Sequence, residues 1–395
     1  MLTRLLLFLS CLTALSCTSQ TAPKSSVEAP GDTLRTGAAQ PERYLPKLRE
    51  KQVGVVVNQT SIVNDTTHLV DFLLAEGIDV QTIFAPEHGF RGEASAGEQI
   101  RDGKDKRTGL PIISLYGKTK KPGPKMLNGL DILVFDIQDV GARFYTYIST
   151  LHYVMQACAE QGIPLLVLDR PNPNGHYVDG PVLEPEHQSF VGMHPIPVVH
   201  GLTVGELARM INGEGWLETP SPCRLDVVSC QNYHHQMPYR LPVRPSPNLP
   251  TARAIGLYPS LCLFEGTVLS AGRGTPFPFE VIGHPELPKT DFSFVPTPNA
   301  GAKYPKHAGK ICYGFDLREA AFRTDTLQLR YLVEAYRRFP QPDEFFIPFF
   351  TQLAGTKTLQ AQLEAGKSAA AIRRSWQPAL EAYRERRKPY LLYPE

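Results

Sequence analysis

Four short apolar runs, rich in β-branched residues and each ending in a cluster of polar side chains, constrain this chain more than any other feature. They are Val53–Val57, Val80–Phe84, Ile132–Ile137 and Pro164–Leu168. Helical periodicity follows the first in His68–Leu74 and the third in Tyr147–Gln161. Strands that stay apolar along their length and alternate with helices fit a parallel sheet covered on both faces, so the expected fold is α/β, Rossmann-like and doubly wound. Ligands of such open sheets bind beyond the carboxyl ends of the strands. The polar clusters Asn58-Gln59-Thr60, Glu87-His88, Gln138-Asp139 and Asp169-Arg170 all fall there. Their convergence marks a site more firmly than any single residue does.

The ends of the chain read differently. Arg4 precedes the apolar run Leu5–Leu9, the layout of a secretory signal too short to stay in a bilayer as a spanning helix. Small residues lead up to Cys17, which fits lipoprotein processing with Cys17 as the lipidated first residue; plain secretion is the alternative. Either route takes the chain out of the cytoplasm, to the periplasm or to the outer membrane on a lipid anchor. Thr18–Glu42 has almost no large apolar side chains and cannot offset the entropy of ordering. The expected division is a signal peptide over 1–16, a disordered tether over 17–42, the Rossmann-like domain over 43–250 and a smaller α+β domain over 251–395. In the Pro-dense stretch after His194, Thr203 and Glu206 form a capping box that opens a helix over Thr203–Ile211. Pro245–Pro250 reads as a hinge or cleft wall. Beyond it, strands are expected near Leu261–Leu269 and Phe279–Ile282, and helices over Thr326–Arg338 and Thr358–Ala365.

Several function classes drop out. A net charge of +2 with no basic stripe gives no field for nucleic acid. Of seven cysteines, five follow Cys17, at irregular spacings without C-x-x-C, so no zinc site or full disulfide framework is indicated; Cys223 and Cys230 are the pair to watch. Gly117-Lys118-Thr119 imitates the end of a P-loop, but Ile112 stands at the leading glycine position. No G-x-G-x-x-G follows the first strand, and no H-E-x-x-H occurs; His234 and His235 are loop neighbours poorly placed to chelate one ion. A hydrolase without cofactor or metal remains.

The strand ends supply its candidate chemistry. Glu87 and His88 sit before Gly89 on a sharp turn, where a carboxyl group in a cleft can act as a general acid; the duller alternative is a helix cap and a polar core residue. Glu93, Glu98 and Asp102 follow in a Gly- and Ala-rich loop that is either a lid or merely solvated. Asp136 and Gln138 share one strand face while Asp139 lies at the turn. Arg143 offers a fork for a carboxylate, and Tyr145 and Tyr147 offer flat surfaces for a sugar ring, against an internal Asp–Arg pair with packed tyrosines. In Asp169–Gly175 the prolines fix the backbone while Asp169, Arg170, Asn172 and Asn174 stay free to hydrogen-bond sugar hydroxyls.

These stretches resemble the exo-β-N-acetylmuramidases of the NamZ type. The likeness runs through Phe84–Gly92, Val134–Ile148, Leu168–Gly175, Gly180–Pro185, Gly192–Pro197, Pro245–Pro250, Glu265–Thr267 and Gly272–Thr275. It implies a cleft between a Rossmann-like domain and a smaller second domain. It also implies hydrolysis of β-1,4-linked N-acetylmuramic acid from the non-reducing end of wall fragments, with Glu87 as the acid. Asn58, His194, Asn248 and Arg273 join the expected substrate contacts. Asp139, Asp136, Glu93 and Glu184 are open for the second catalytic role, as is the sugar's own acetamido group. Either Arg143 or Arg170 is expected to hold the lactyl carboxylate of muramic acid. The competing class is a non-catalytic lipoprotein that binds muropeptides in the same cleft.

Overall fold

Alternation along the strands explains the layered architecture. Val53, Val55, Val57, Ile132, Val134, Leu166 and Leu168 face one way and pack with Tyr44, Leu48, Leu69 and Leu73. Val56, Leu133, Phe135, Leu165 and Val167 face the other way and pack with Leu151, Met155, Leu207 and Ile211. Because side chains alternate across a strand, one apolar run feeds two helical layers, and the sheet between them is buried on both faces.

The computed structural model describes residues 33–64, 66–87, 89–90 and 102–395. The signal segment, Cys17, most of the expected tether, His88, Glu93 and Glu98 lie outside the described residues. In chain order the strands are β1 (Val53–Val57), β2 (Val80–Ala85), β3 (Gly103–Lys104), β4 (Pro111–Ser114), β5 (Ile132–Asp136), β6 (Leu165–Leu168), β7 (Asp179–Val182), β8 (Pro197–Val199), β9 (Leu225–Val228), β10 (Val281–His284), β11 (Ser293–Phe294) and β12 (Cys312–Asp316). The helices are α1 (Pro41–Leu48), α2 (Leu69–Ala75), α3 (Pro124–Leu127), α4 (Tyr147–Gln161), α5 (Val204–Gly213), α6 (Ala252–Leu261), α7 (Leu329–Arg338), α8 (Phe349–Ala354), α9 (Thr358–Glu364) and α10 (Ala369–Arg387).

Seven strands form the main sheet in the order β3-β4-β2-β1-β5-β6-β9, parallel except for the β3–β4 edge pair. The order reverses between β1 and β5, so the crevice of a doubly wound sheet opens where Asn58 and Gln138 leave their strands. The capping box is formed: Thr203 accepts from the Glu206 amide, and Glu206 accepts from the Thr203 amide at 2.9 Å. A second sheet, β10-β12-β11, is antiparallel, and β7 pairs with β8.

Two expectations need correction. Leu34 to Glu42 is part of the folded body, because Arg35 bridges to Gln231, Gly37 donates to the Asp169 carbonyl at 2.8 Å, and Gln40 is fully buried. The apolar stretch near Leu261 is not a strand: α6 ends at Leu261 and runs into a 3-10 turn over Cys262–Gly266. An apolar run without alternation fits a buried helix as well as a strand, and Thr251, accepting from the Ala254 amide, decides for the helix.

The C-terminal helices share the apolar core of α4 and α5 through Leu332, Leu353, Leu359 and Leu380. α10 packs against the β7–β8 pair: Trp376 donates to Asp179 at 2.9 Å and Tyr383 to the His200 carbonyl at 2.7 Å. Among the described residues no helix is long and apolar enough to cross a membrane.

Candidate active site

The turn after β2 and the loop after β5 meet over a cleft of about 220 Å3. Glu87, Tyr145, Thr146 and Tyr147 line it from the sheet side, Ser246 and Asn248 from the Pro-rich loop, and Tyr258, Glu265, Arg273 and Leu353 from the C-terminal part. A larger, mostly apolar hollow of about 420 Å3 around Leu359 and Trp376 is lined by none of the strand-end polar residues.

Glu87 leaves β2 on a tight turn in which the Gly89 amide donates to the Pro86 carbonyl at 3.0 Å, with Gly89 at φ +76°. Thr146, just before α4, donates its hydroxyl to Glu87 Oε2 at 2.9 Å. Tyr145 and Tyr147 donate to the Pro245 carbonyl at 2.9 and 3.3 Å, tying the sheet side of the cleft to the Pro-rich loop. Burial, and then the charge of Glu87, raise the Tyr147 phenol above its ordinary value, so it remains a donor. Asn248 donates to the Gly301 carbonyl at 2.7 Å, which holds the 299–302 turn against the mouth.

Glu265, not singled out in the sequence as a catalytic candidate, is the second carboxylate that lines the cleft. Arg273 grips it bidentately, Nε to Oε1 and Nη2 to Oε2, while its guanidinium lies 5.2 Å from the Phe279 ring centre. Lys306 caps the end of the 3-10 turn that carries Glu265, donating to the carbonyls of Glu265 (3.1 Å), Leu269 (3.4 Å) and Thr267. Burial among those carbonyls pulls the Lys306 ammonium down to about 8. The only sequence signal for Glu265 was its place in the Glu265–Thr267 stretch.

Most of the other strand-end residues lie below this cleft and are spent on the fold. Asp136 and Arg170 form a bidentate pair at 2.5 and 2.8 Å, and Arg170 also donates to the Ile62 carbonyl; neither reaches the cleft. Burial lowers the Arg170 guanidinium, but the Asp136 carboxylate raises it further, above its ordinary value. Among the described residues Arg143 faces no carboxylate: fully buried, it donates to the carbonyls of Pro181, Ile196, Leu353 and Ala354 at 2.7–2.9 Å and so ties α8 to the β7–β8 pair. Burial without a counter-charge pulls it down to about 9. Both arginines proposed for the lactyl carboxylate are therefore excluded by their partners.

Asp169 accepts from Gly205, Thr203 and Tyr393 at 2.5–2.7 Å, and burial raises its carboxyl to about 6. Asn58 accepts from the Thr60 amide and hydroxyl, Asn172 donates to the Leu202 carbonyl, and Asn174 donates to the carbonyls of Val140 and Ile255. Asp139 braces its own turn by accepting from Gly141 at 2.6 Å. Only glycine fits there: Gly141 has φ +76°, and a Cβ would stand 2.2 Å from the Asn172 side chain. His194 is buried against Trp216 and bonded to His152 at 3.0 Å. Asp102 accepts from the Ser114 amide, and Glu184 from Thr356. Glu184, Glu186 and His187 are close enough together to share an ion, but they do not line the cleft. Cys223 lies against Cys158 rather than Cys230, and all five described cysteines are free thiols.

Sequence profiles of the exo-β-N-acetylmuramidase NamZ family match in both parts, the N-terminal profile over residues 53–253 and the C-terminal one over 256–393. The chain belongs to this NamZ family. It is 40% identical to the peptidoglycan β-N-acetylmuramidase NamZ of Bacillus subtilis strain 168, across 95% of this chain and 93% of that one. Two crystal structures of DUF1343 family proteins from Bacteroides fragilis NCTC 9343 share the fold. One superposes with a TM-score of 0.85 at 46% identity, covering 92% of this chain and 99% of its own; the other with 0.79 at 29%, covering 92% and 100%. NamZ membership makes the protein a glycosidase that acts on peptidoglycan.

Proposed function

We propose that this protein is an exo-acting glycoside hydrolase that releases β-1,4-linked N-acetylmuramic acid from the non-reducing end of peptidoglycan fragments. The observation that carries the reading is Glu87, a carboxyl group at a strand end, held by the Thr146 hydroxyl and lining the cleft with two tyrosines. In its protonated form Glu87 donates to the glycosidic oxygen as the bond from C1 breaks, which lets the sugar leaving group depart as an alcohol. Positive charge develops at C1, water adds there, and its proton is released. The products are free N-acetylmuramic acid and a fragment shortened by one sugar. Tyr145 and Tyr147, buried and packed edge to face, form the cleft wall beside Glu87 rather than an open platform for the ring.

The decisive assay offers the purified protein a chromogenic β-glycoside of N-acetylmuramic acid and a natural fragment ending in the same sugar. Release of the free sugar from both is expected. Binding without release would make the protein a muropeptide carrier.

Export and a lipid anchor belong to the same proposal, supported by Arg4, the apolar run to Leu9, and Cys17 ahead of a spacer poor in large apolar residues. At the outer membrane or in the periplasm, the enzyme meets wall fragments and returns a sugar fit for recycling. Cys17→Ala should move the protein from the membrane to the soluble fraction; an unchanged membrane fraction overturns the anchor.

A further inference from the structure

N-Acetylmuramic acid differs from N-acetylglucosamine by a lactyl ether that ends in a carboxylate, so an enzyme that selects it needs a cation in reach of that group. Arg143 and Arg170 are closed off by their partners, and among the described residues Arg273 is the arginine that lines the cleft. A guanidinium has five N–H groups in two forked edges. Glu265 occupies the edge made by Nε and Nη2, whereas Nη1 has no hydrogen-bond partner among the described residues. The Arg273 side chain is 26% exposed, unlike Arg170 at 2%.

We propose that the second edge of Arg273, Nη1 with the remaining Nη2 hydrogen, is the binding site for the lactyl carboxylate and sets the preference for muramic acid. This rests on the glycosidase reading above. Glu265 is a positioning residue in this arrangement: it fixes the guanidinium plane from behind, with Phe279 beside that plane and Lys306 holding the turn under Glu265. An arginine gripped on one edge by a protein carboxylate presents the other edge at little entropic cost, which favours a planar, doubly hydrogen-bonded ligand.

The test compares three aryl β-glycosides: of N-acetylmuramic acid, of its neutral lactyl amide, and of N-acetylglucosamine. The readout is the ratio of kcat/KM for the carboxylate substrate to that for the amide. Arg273→Gln should lower this ratio about 10- to 100-fold, the range for a lost charge-assisted hydrogen-bond pair. Arg273→Lys, which keeps a partner for Glu265 but lacks the fork, should lower it by less. Glu265→Gln should also lower the ratio, through KM rather than kcat.

A ratio unchanged in Arg273→Gln and Arg273→Lys would overturn the proposal. So would an equal loss on all three substrates, which would place the pair in the chemistry or in the fold. If the wild-type protein hydrolyses none of the substrates, it is the glycosidase reading that fails. Calorimetric titration with free N-acetylmuramic acid and with its lactyl amide then tests the site alone. Tighter binding of the acid, lost in Arg273→Gln, supports the site, and equal binding of the two overturns it.

Discussion

Two polar clusters flank the cleft, one below it at the carboxyl ends of the parallel strands and one across its mouth, and they do opposite things. In the lower one, Asp136 and Arg170 satisfy each other, Asp169 takes donors from three directions, and Arg143 is filled by four carbonyls. In the upper one, Glu87, Glu265 and Arg273 are partly open and line the cleft. Both contain acids, forks and hydroxyls. Polarity at a strand end therefore does not identify a site. What separates the clusters is whether the remaining hydrogen-bonding capacity opens onto the cleft: among the described residues Arg143 Nε has no acceptor, yet it is sealed in the interior, whereas Arg273 is partly exposed.

The sharpest way to break this contrast is Glu87→Gln. It should lower kcat on a natural sugar leaving group by about 10²–10⁴-fold, the range for a general acid. Stability should move by no more than about 0.5 kcal/mol, because the side chain is half-buried on the rim. A nitrophenolate leaving group needs little protonation, so the same variant should lose far less there. Equal loss on both substrates would give Glu87 a nucleophilic or positioning role instead.

The lower cluster should behave in reverse. Asp136→Asn leaves the buried Arg170 without its counter-charge, which typically costs about 3–5 kcal/mol. Urea unfolding reads the loss, and the fraction still folded should keep near wild-type specific activity. A stable variant with its activity gone would move Asp136 from the fold to the site.

This contrast also explains what could be read from the residues. The period-two packing of β1, β5 and β6, the Thr203 capping box and Glu87 at the end of β2 were legible because each is a local rule. Arg143 misled because its four partners come from Pro181, Ile196, Leu353 and Ala354, which no local pattern connects to it. Glu265 was missed for a related reason: its meaning comes from Arg273 and from the opposite wall of the cleft. Pair satisfaction is a property of the assembled chain.

On the buried side, pH provides a milder probe. Burial pulls His152 down to about 4, so the native state keeps it neutral while an unfolded chain protonates it below about 6.5. The unfolded state then binds more protons, and the His152 contribution to stability is lost progressively as pH falls from about 6.5 toward 4. Asp169, raised to about 6, works the other way, since below pH 6 the native state holds a proton that the unfolded chain still lacks. The two slopes oppose each other in wild type. His152→Gln removes one of them, so the stability gap between wild type and variant should narrow by about 2 kcal/mol between pH 7 and pH 5. Urea midpoints at the two pH values check this; a gap independent of pH would mean that His152 already carries its proton when buried.

The smallest expected effect separates the clusters most finely, because it removes one hydrogen bond and nothing else. Thr146 stands at the start of α4, but its side chain caps no backbone amide there, so its hydroxyl serves Glu87 rather than the helix. Thr146→Val keeps the shape and deletes the donor. A neutral hydrogen bond is worth about 0.5–1.5 kcal/mol, so kcat should fall by about 2- to 10-fold, with stability close to wild type and KM little changed. Thr146→Ser, which restores the hydroxyl, should recover most of the rate. On the nitrophenolate substrate both variants should approach wild type, because an acid that is scarcely needed gains little from being held in place. If Thr146→Val instead lowers stability and leaves kcat intact, the hydroxyl belongs with the buried cluster, and the boundary between fold and site runs above Glu87 rather than below it.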